Sequence, residues 1–448
     1  MDLFKSIFKG DKVVWTIFLL LCLLSVIEGF SASSTLSFGS GDYWAPITRH
    51  GTFLLVGALF VWLFHNIPYR WFSAIPVILL PVSIVLLAYL TISGFLWGDR
   101  INGASRWLDK DLTGGISFQP SELAKMAVVI VVAFILSKGQ NERGAHPLAF
   151  TRIMIIAAVV CGLILPENYS TAFMLFATVF LQMIIGRVQA RKLLLLGAVL
   201  ATAGVLFVLF LKNTDKETLQ KIPFGHRLTV VKQRISDFSL SGEKVPASAF
   251  DMKNNAQVGH ARIAVATSTL LGKGPGNSVE RDHLPHAYSD FIYAIIIEEL
   301  GLVGGFVVVL LYVCLLIRVG KIAKKCDRTF PAFLIIGIAL LLVIQAMFNM
   351  LVAVGLFPVT GQPLPLVSRG GTSVIINCIY VGMILSVSRY TAGLDAKIAA
   401  QRAHDAQLQM EVSTGVDEPM AFTWGKDADV QSISEPTSAA YNGDSEMV

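Results

Sequence analysis

Long apolar runs, separated by shorter polar segments, dominate the pattern of this 448-residue chain. In an α-helix, about 20 apolar residues span the roughly 30 Å hydrocarbon core of a bilayer. Because the runs are continuous and do not alternate with polar positions, they predict membrane-spanning helices and not the strands of a barrel. We predict ten such helices, which begin near Val13, Thr52, Trp71, Pro120, Arg152, Thr171, Leu193, Asp290, Pro331 and Ser373.

The composition narrows the class of protein. Hydrophobic residues make up 54% of the chain and charged residues only 15%, whereas soluble domains carry about 25% charged residues. The predicted fold class is therefore all-α, a polytopic membrane protein. The apolar body of the first segment, residues 13–30, is longer than the core of a secretory signal, so we expect an uncleaved helix. The five cysteines form no pattern typical of a disulfide framework or a zinc site.

Lysine and arginine are unevenly distributed between the two sides of the predicted helices. In short connections, the poorer side carries only Arg49, Arg100, Arg106, Lys110 and Arg369. The richer side should be cytoplasmic, so both termini are predicted in the cytoplasm. The formal net charge of +5 then follows from topology and does not indicate a nucleic-acid partner.

Two segments interrupt the alternation of helices and short connections. Residues 212–289 are far longer than an ordinary connection, and we predict a large extracytoplasmic loop before the eighth helix. Its many cations suit either a solvated face or a surface that faces an anionic lipid-linked substrate. After Tyr390 we expect an amphipathic helix to about residue 412, followed by an acidic segment whose composition is typical of disorder. The predicted domains are therefore a membrane domain, residues 1–390, and a cytoplasmic acidic tail, residues 391–448.

Asp290 is the foremost candidate for chemistry. It stands where the long polar loop enters an apolar helix, and a charge at a membrane boundary is costly. Glu298 and Glu299 follow on the same helix, but eight residues at about 1.5 Å each place Glu298 roughly 12 Å from Asp290. That exceeds the roughly 5–9.5 Å between the paired carboxylates of glycosidases. Asp290 is therefore predicted to act alone as a base, and the two glutamates to be structural.

Other polar residues near predicted helix ends are candidates for binding an anionic substrate. Pro120 and Glu122 suit the first turn of a helix, whereas Lys125, one turn deeper, needs an anionic partner. That partner is either Glu122, in a structural pair, or the substrate. Arg106, beside Trp107, is either an interfacial anchor or a phosphate ligand.

Two segments rich in glycine or proline complete the candidates. Residues 271–278 include Gly274 and Gly276, lack the spacing of a nucleotide-binding loop, and predict a sharp bend over a lipid substrate. Residues 361–373 include Ser368 and Arg369, and their two prolines and glycine pair preclude a regular helix. Irregular backbone at membrane depth is tolerated where protein buries it or where it lines a polar cavity, and we favour the cavity.

Together, residues 102–108, 119–125, 290–301 and 358–373 resemble the SEDS family (shape, elongation, division and sporulation) of bacterial membrane proteins. The resemblance runs over about residues 13–390. The sequence of residues 272–278 is closer to the division branch of the family than to the elongation branch. It implies polymerisation of lipid II, the undecaprenyl-pyrophosphate-linked disaccharide-pentapeptide, into peptidoglycan strands without a nucleotide cofactor. It also implies a cognate class B penicillin-binding transpeptidase as partner, and a role for Asp290 as catalytic base.

The chemistry that the resemblance implies is attack of a sugar hydroxyl on an anomeric carbon, with inversion. A base in hydrogen-bond reach accelerates such a step by about 10²–10⁴-fold. Charge on the departing pyrophosphate would be stabilised by cations, for which Arg106, Lys125, Arg227 and Arg369 are candidates, or by a divalent cation such as magnesium or manganese. Catalysis is expected on the periplasmic or extracellular side of a bacterial inner membrane. The alternatives are a lipid II flippase and a non-catalytic division scaffold that uses the tail to bind division proteins.

Overall fold

The structure, a computed structural model, describes residues 9–32, 44–96, 107–108, 117–142, 144–215, 218–219, 225–240, 252–284 and 287–414. These residues form α-helices joined by turns and two short 3₁₀-helices, at Tyr69–Ser73 and Glu280–Asp282. The α-helices are α1 Lys12–Ala32, α2 Ala45–Asn66, α3 Ile75–Leu96, α4 Pro120–Ser137, α5 Ala149–Ile164, α6 Tyr169–Ile185, α7 Ala190–Asn213, α8 Gly225–Leu240, α9 Met252–Ala266, α10 Ile292–Lys324, α11 Thr329–Ala353 and α12 Gly371–Thr414.

Every apolar run that the sequence analysis selected lies in a helix. Eight of the described helical segments are long and apolar enough to cross a membrane, while α5 and α6 are apolar but have only 16 and 17 residues. The chain is thus a multi-pass helical membrane protein, and the count of ten membrane crossings stays a prediction. Helices α8 and α9 lie within the polar segment 212–289.

The start of α2 differs most from its prediction. The helix begins at Ala45, seven residues before Thr52, because Pro46 suits its first turn and the polar pair Arg49 and His50 lies inside it. Because Arg49 and His50 interrupt the apolar pattern, the first part of this helix could not be recognised from an apolar run. By contrast, α4 begins at Pro120, as predicted.

Helices α4 and α11 occupy the centre of the packed core. One face of α4 contributes Val128 and Val132 to an apolar cluster with α5 and α6, and another face contributes Val129 and Ile130 to a cluster with α1, α10, α11 and α12. Residues four apart share one face of a helix, so a single helix can serve two clusters. Helix α11 packs extensively against both α10 and α4.

Asp11 joins the start of α1 to the last part of α10. Asp11 caps α1, because its Oδ1 accepts hydrogen bonds from the backbone N–H groups of Val13 at 3.0 Å and Val14 at 3.1 Å. Its Oδ2 lies 2.8 Å from Nε of Arg318 near the end of α10. One carboxylate thus satisfies the start of one helix and ties it to the end of another.

Contacts divide the chain into two units, residues 1–394 and residues 395–448. The side chains of residues 395–409 are exposed. The predicted disorder of the acidic tail falls on residues 415–448, which lie outside the described part of the chain. The proposed boundary at residue 390 therefore stays a prediction.

Candidate active site

Asp290 lies in a turn, two residues before α10 begins at Ile292. The residue is half-buried, and its backbone carbonyl accepts a hydrogen bond from Nδ2 of Asn349, on α11, at 2.8 Å. The same amide nitrogen donates to the carbonyl of Gln362 at 2.8 Å. Asn349 therefore fastens the turn of Asp290 to the segment between α11 and α12, residues 354–370, which we call the site loop.

The site loop has an irregular backbone, as its prolines and glycines predicted. Leu366 has a φ of 65° and Gly361 also has a φ of 65°, both in the left-handed region. Ser368 secures the fold of the loop, because its Oγ accepts from the N–H of Leu364 at 2.7 Å and donates to the carbonyl of Ser289 at 2.6 Å. The loop is thus held both to itself and to the residue that precedes Asp290.

Arg369 brings a cation to the same place. Its N–H donates to the carbonyl of Tyr288 at 3.0 Å, and its guanidinium carbon lies 5.4 Å from the centre of the Tyr288 ring. Nη1 is buried and has no hydrogen-bond partner among the described residues. Burial lowers the pKa of Arg369, Tyr288 opposes that shift, and the neighbouring Arg49 adds to it. A guanidinium with an unused donor beside a second arginine is suited to bind an anion.

The Glu122–Lys125 pair that was one alternative for α4 is present. Lys125 is fully buried, and its Nζ donates to Oε1 of Glu122 at 2.7 Å and to Oε1 of Gln345 at 3.1 Å. Gln345, on α11, in turn donates through Nε2 to the carbonyl of Pro363 at 3.0 Å. The ammonium of Lys125 is therefore connected to the site loop through one amide side chain.

Gln345 and Asn349 were missed by the sequence analysis. They lie one turn apart on α11, which is otherwise apolar between Leu340 and Met350 except at these two positions. Residues at i and i+4 share a helix face, and here both amides point at backbone carbonyls of the site loop. Two amides at this spacing in an apolar helix were the signal available in the sequence.

A second contact holds the site loop from the side of α1 and α2. Oγ of Ser25 donates to the carbonyl of Val367 at 2.8 Å and lies 2.9 Å from Nε2 of His50. A hydroxyl has one proton, and Val367 takes it, so Nε2 of His50 must carry the proton that Ser25 accepts. The chain of donors runs from His50 through Ser25 to the site loop. Both side chains are buried.

The glutamates Glu298 and Glu299 are fully buried. Both carboxylates bind residues 269–278, which we call the glycine-rich segment, in agreement with a structural role. Glu298 accepts from Nζ of Lys273 at 2.6 Å and from Oγ of Ser278 at 2.5 Å. Glu299 accepts from the N–H groups of Gly276 at 2.9 Å and Ser278 at 3.2 Å. These bonds satisfy carboxylates that would otherwise be costly to bury.

The backbone of the glycine-rich segment also replaces hydrogen bonds of α10. In a helix the carbonyls of Glu298 and Glu299 would accept from the residues four positions later. Instead they accept from the N–H groups of Lys273 at 3.0 Å and Gly274 at 2.8 Å. The change occurs at Gly301, where φ is 74° and ψ is −175°.

The freed N–H groups of Leu302 and Val303 find partners in the same segment. They donate to the carbonyls of Thr269 and Leu270, each at 3.2 Å. The segment thus docks into a break in α10, and the two carbonyls and two N–H groups that lose their helical partners all form hydrogen bonds with it. The N–H groups of Gly274 and Gly276 are used in this docking, and the far side of Gly276 faces open space.

Two remaining candidates lie partly or wholly outside what the structure describes. Arg106 is outside the described residues, and Arg227 lies in α8 with a side chain that is not described.

A further carboxylate, Glu28 in α1, is fully buried, and neither of its oxygens has a hydrogen-bond partner among the described residues. Glu28 could not be recognised as a candidate from the sequence, because it lies within the first apolar run.

The fold and the site define a class of protein: a multi-pass helical membrane protein in which a carboxylate and an arginine lie on adjacent backbone segments where two helices begin. The family model FTSW_RODA_SPOVE, described as cell cycle protein, matches residues 11–393. The chain belongs to this family, as its resemblance to SEDS proteins predicted.

Relatives and solved structures agree with that membership. "Probable peptidoglycan glycosyltransferase FtsW" of Halomonas elongata is 32% identical over 356 residues, 78% of this chain and 82% of the relative. The protein of the same name from Trichlorobacter lovleyi is 31% identical over 401 residues, 89% of this chain and 96% of the relative.

Two solved structures show the same fold. A chain of the structure described as "Structural coordination of polymerization and crosslinking by a peptidoglycan synthase complex" is similar with a TM-score of 0.65 and 23% identity, over 85% of this chain and 98% of that chain. The rod shape determining protein RodA of Thermus thermophilus gives a TM-score of 0.57 at 23% identity, over 85% of this chain and 97% of RodA.

Proposed function

We propose that this protein is a peptidoglycan glycosyltransferase that polymerises lipid II during cell division. The observation that carries the proposal is the position of Asp290, a half-buried carboxylate whose turn is bound by Asn349 and lies against the site loop that bears Arg369. The names of the relatives support both the reaction and the division branch.

In the proposed reaction Asp290 accepts the proton of an acceptor sugar hydroxyl. The hydroxyl oxygen then forms a bond to the anomeric carbon of the donor sugar, and the bond from that carbon to the lipid pyrophosphate breaks. The pyrophosphate leaves with the electron pair. Attack from the face opposite the leaving group inverts the anomeric centre. We assign no second catalytic role to Glu298 and Glu299, because their oxygens accept hydrogen bonds from the glycine-rich segment.

Arg369 is proposed as the principal cation for the pyrophosphate, since its buried Nη1 has no partner among the described residues. Arg106 and Arg227 are proposed as further phosphate ligands on the basis of their charge and sequence position. Lys125 and Glu122 are proposed to act on substrate through Gln345 and the site loop. Ser368 is proposed to hold that loop in shape, and Gly274 and Gly276 to form a bend beside the lipid.

A magnesium or manganese ion remains an expectation for the leaving pyrophosphate. Among the described residues, no group of three or more His, Cys, Asp and Glu side chains is arranged to hold a metal ion. We therefore assign no step of the reaction to a metal, and we assign the phosphate contacts to arginines, which bind phosphate oxygens in a two-pronged grip.

We place the protein in the bacterial inner membrane on the basis of its family. The distribution of lysine and arginine supports an orientation with both termini in the cytoplasm. Asp290, Arg369 and residues 212–289 then lie on the periplasmic or extracellular side. A class B penicillin-binding transpeptidase is the proposed partner, supported by the fold that the chain shares with a chain of a peptidoglycan synthase complex. Division proteins are proposed as ligands of the acidic tail.

The proposed function is tested with the purified protein and lipid II that carries a fluorescent label. The expected product is a ladder of glycan polymers on a gel, formed by the protein alone or together with its transpeptidase partner. Polymer that lysozyme digests to small fragments confirms glycan strands. If neither preparation makes polymer, while the protein transfers labelled lipid II across a vesicle membrane, the protein is a flippase and the proposal is wrong.

A further inference from the structure

A cavity at the opposite end of the helices from Asp290 has no place in the reaction above. Its volume is about 430 Å³, within the range of small-molecule sites. It lies between the 3₁₀-helix Tyr69–Ser73 and the part of α12 around Arg389. Arg70, Trp71, Arg389 and Tyr390 line it. We call it the arginine pocket.

The charge of the arginine pocket is positive. Arg70 is exposed and makes no ion pair among the described residues. Within the described part of the chain, Arg389 donates only to the neutral groups of Asn66, to Oδ1 at 3.2 Å and to the backbone carbonyl at 2.9 Å. The carboxylate of Asp327 lies near the pocket, and its Oδ1 accepts a hydrogen bond from the hydroxyl of Tyr390. Two guanidinium groups therefore share the pocket, and no carboxylate of the residues that the structure describes is bound to either.

The walls of the pocket are typical of the boundary between hydrocarbon and water. Trp71 is 68% exposed, and the rings of Tyr69 and Tyr390 lie with centroids 4.7 Å apart. Tryptophan and tyrosine are enriched at the level of lipid headgroups. The short connections on this side are those rich in lysine and arginine, which places the pocket at the cytoplasmic leaflet.

We propose that the arginine pocket binds the phosphate headgroup of an anionic glycerophospholipid from the cytoplasmic leaflet. The arginines bind the phosphate, and the aromatic wall contacts the glycerol and the first part of the acyl chains. Basic pockets between membrane helices on this side are a recurring form of lipid recognition. An anionic lipid is favoured over a soluble anion because the pocket combines charge with an exposed tryptophan at the membrane boundary. The site is separate from Asp290 and does not depend on the proposed reaction.

The test measures quenching of Trp71 in the full-length protein, reconstituted with either phosphatidylglycerol or phosphatidylcholine that carries bromine on its acyl chains. The signal of Trp71 is the part that Trp71→Phe removes. We expect brominated phosphatidylglycerol to quench the Trp71 fluorescence at a several-fold lower mole fraction in the membrane than brominated phosphatidylcholine. Arg70→Gln should weaken the phosphatidylglycerol effect about fivefold, since each basic residue near an anionic membrane contributes about 1 kcal/mol.

Arg191→Gln is the matched control, because Arg191 is an exposed arginine on the same side, outside the pocket. It should leave the quenching unchanged. Equal quenching by the two lipids, or equal effects of Arg70→Gln and Arg191→Gln, would overturn the proposal. Relief of the quenching by inorganic phosphate would assign the pocket to a soluble anion, and relief by a peptide of residues 415–448 would assign it to the chain's own acidic tail. Either result would also overturn the lipid assignment.

Discussion

At the scale of single residues, the site depends on side chains that never carry a charge in the reaction. Asn349 binds two backbone carbonyls, Gln345 joins Lys125 to the site loop, and Ser25 holds Val367. Each donates a hydrogen bond to a carbonyl in or beside the irregular backbone around Asp290. The position of the proposed base is thus set by neutral donors, whose strength does not change with pH.

Ser25 and His50 provide a prediction at this scale. Ser25→Ala leaves the carbonyl of Val367 and Nε2–H of His50 without partners, and a buried unpaired polar group costs about 1–3 kcal/mol. We expect a lower melting temperature in detergent and a slower rate of polymerisation at saturating lipid II, with little change in apparent KM.

His50→Gln is the matched control, because the glutamine amide can still donate to Ser25. It should retain most of the stability and rate that Ser25→Ala loses. Equal losses in the two variants would show that the donor chain from His50 is not what positions the site loop.

At the scale of elements, the break in α10 joins the helix that follows Asp290 to the glycine-rich segment. A Cβ at Gly301 would lie less than 3 Å from the backbone of Leu270 and of Gly272. The backbone of Gly301 also has angles that other residues rarely adopt, at a cost of about 1–3 kcal/mol. Both facts make glycine necessary at this position.

Gly301→Ala is therefore expected to release the glycine-rich segment. It should lower the free energy of unfolding by about 1–3 kcal/mol from backbone strain, and by more if the added Cβ displaces the segment. Thermal unfolding in detergent measures the loss, and proteolysis within residues 267–284 should become faster. Gly320→Ala, on the same helix, is the control, because no atom lies within 4 Å of the added Cβ. It should be neutral or stabilising by about 0.5–1 kcal/mol. Equal stability of Gly301→Ala and Gly320→Ala would contradict this account of the break.

At the scale of the whole molecule, orientation decides on which side of the membrane the reaction occurs. Asp282 and Arg191 are both exposed and are predicted on opposite sides. In spheroplasts, a membrane-impermeant maleimide should label Asp282→Cys above the background of the native cysteines and should label Arg191→Cys only after lysis. The reverse pattern would place Asp290 in the cytoplasm and exclude the proposed topology.

The apolar runs and the start of α4 at Pro120 could be predicted from local sequence, because they depend on periodicity and first-turn chemistry. The separation of Asp290 from Glu298 stays a prediction from helix rise. The contacts of Gln345 and Asn349 with the site loop could not be predicted from local sequence, since they join segments whose approach is decided by tertiary packing. The same holds for the break at Gly301, where a segment 27 or more positions earlier in the chain supplies the missing hydrogen bonds. A glycine inside an apolar helix gave no sign of its partner.

Our main proposal is that Asp290 alone accepts the proton of the acceptor sugar. Its most direct test compares Asp290→Asn with Asp282→Asn, the same chemical change in an exposed carboxylate of the same polar segment. With lipid II and the transpeptidase partner present, Asp290→Asn should slow polymerisation by about 10²–10⁴-fold, while binding of lipid II and the melting temperature stay near those of the wild type. Asp282→Asn should polymerise at the wild-type rate. Polymerisation by Asp290→Asn at a rate near that of Asp282→Asn would show that Asp290 is not the base.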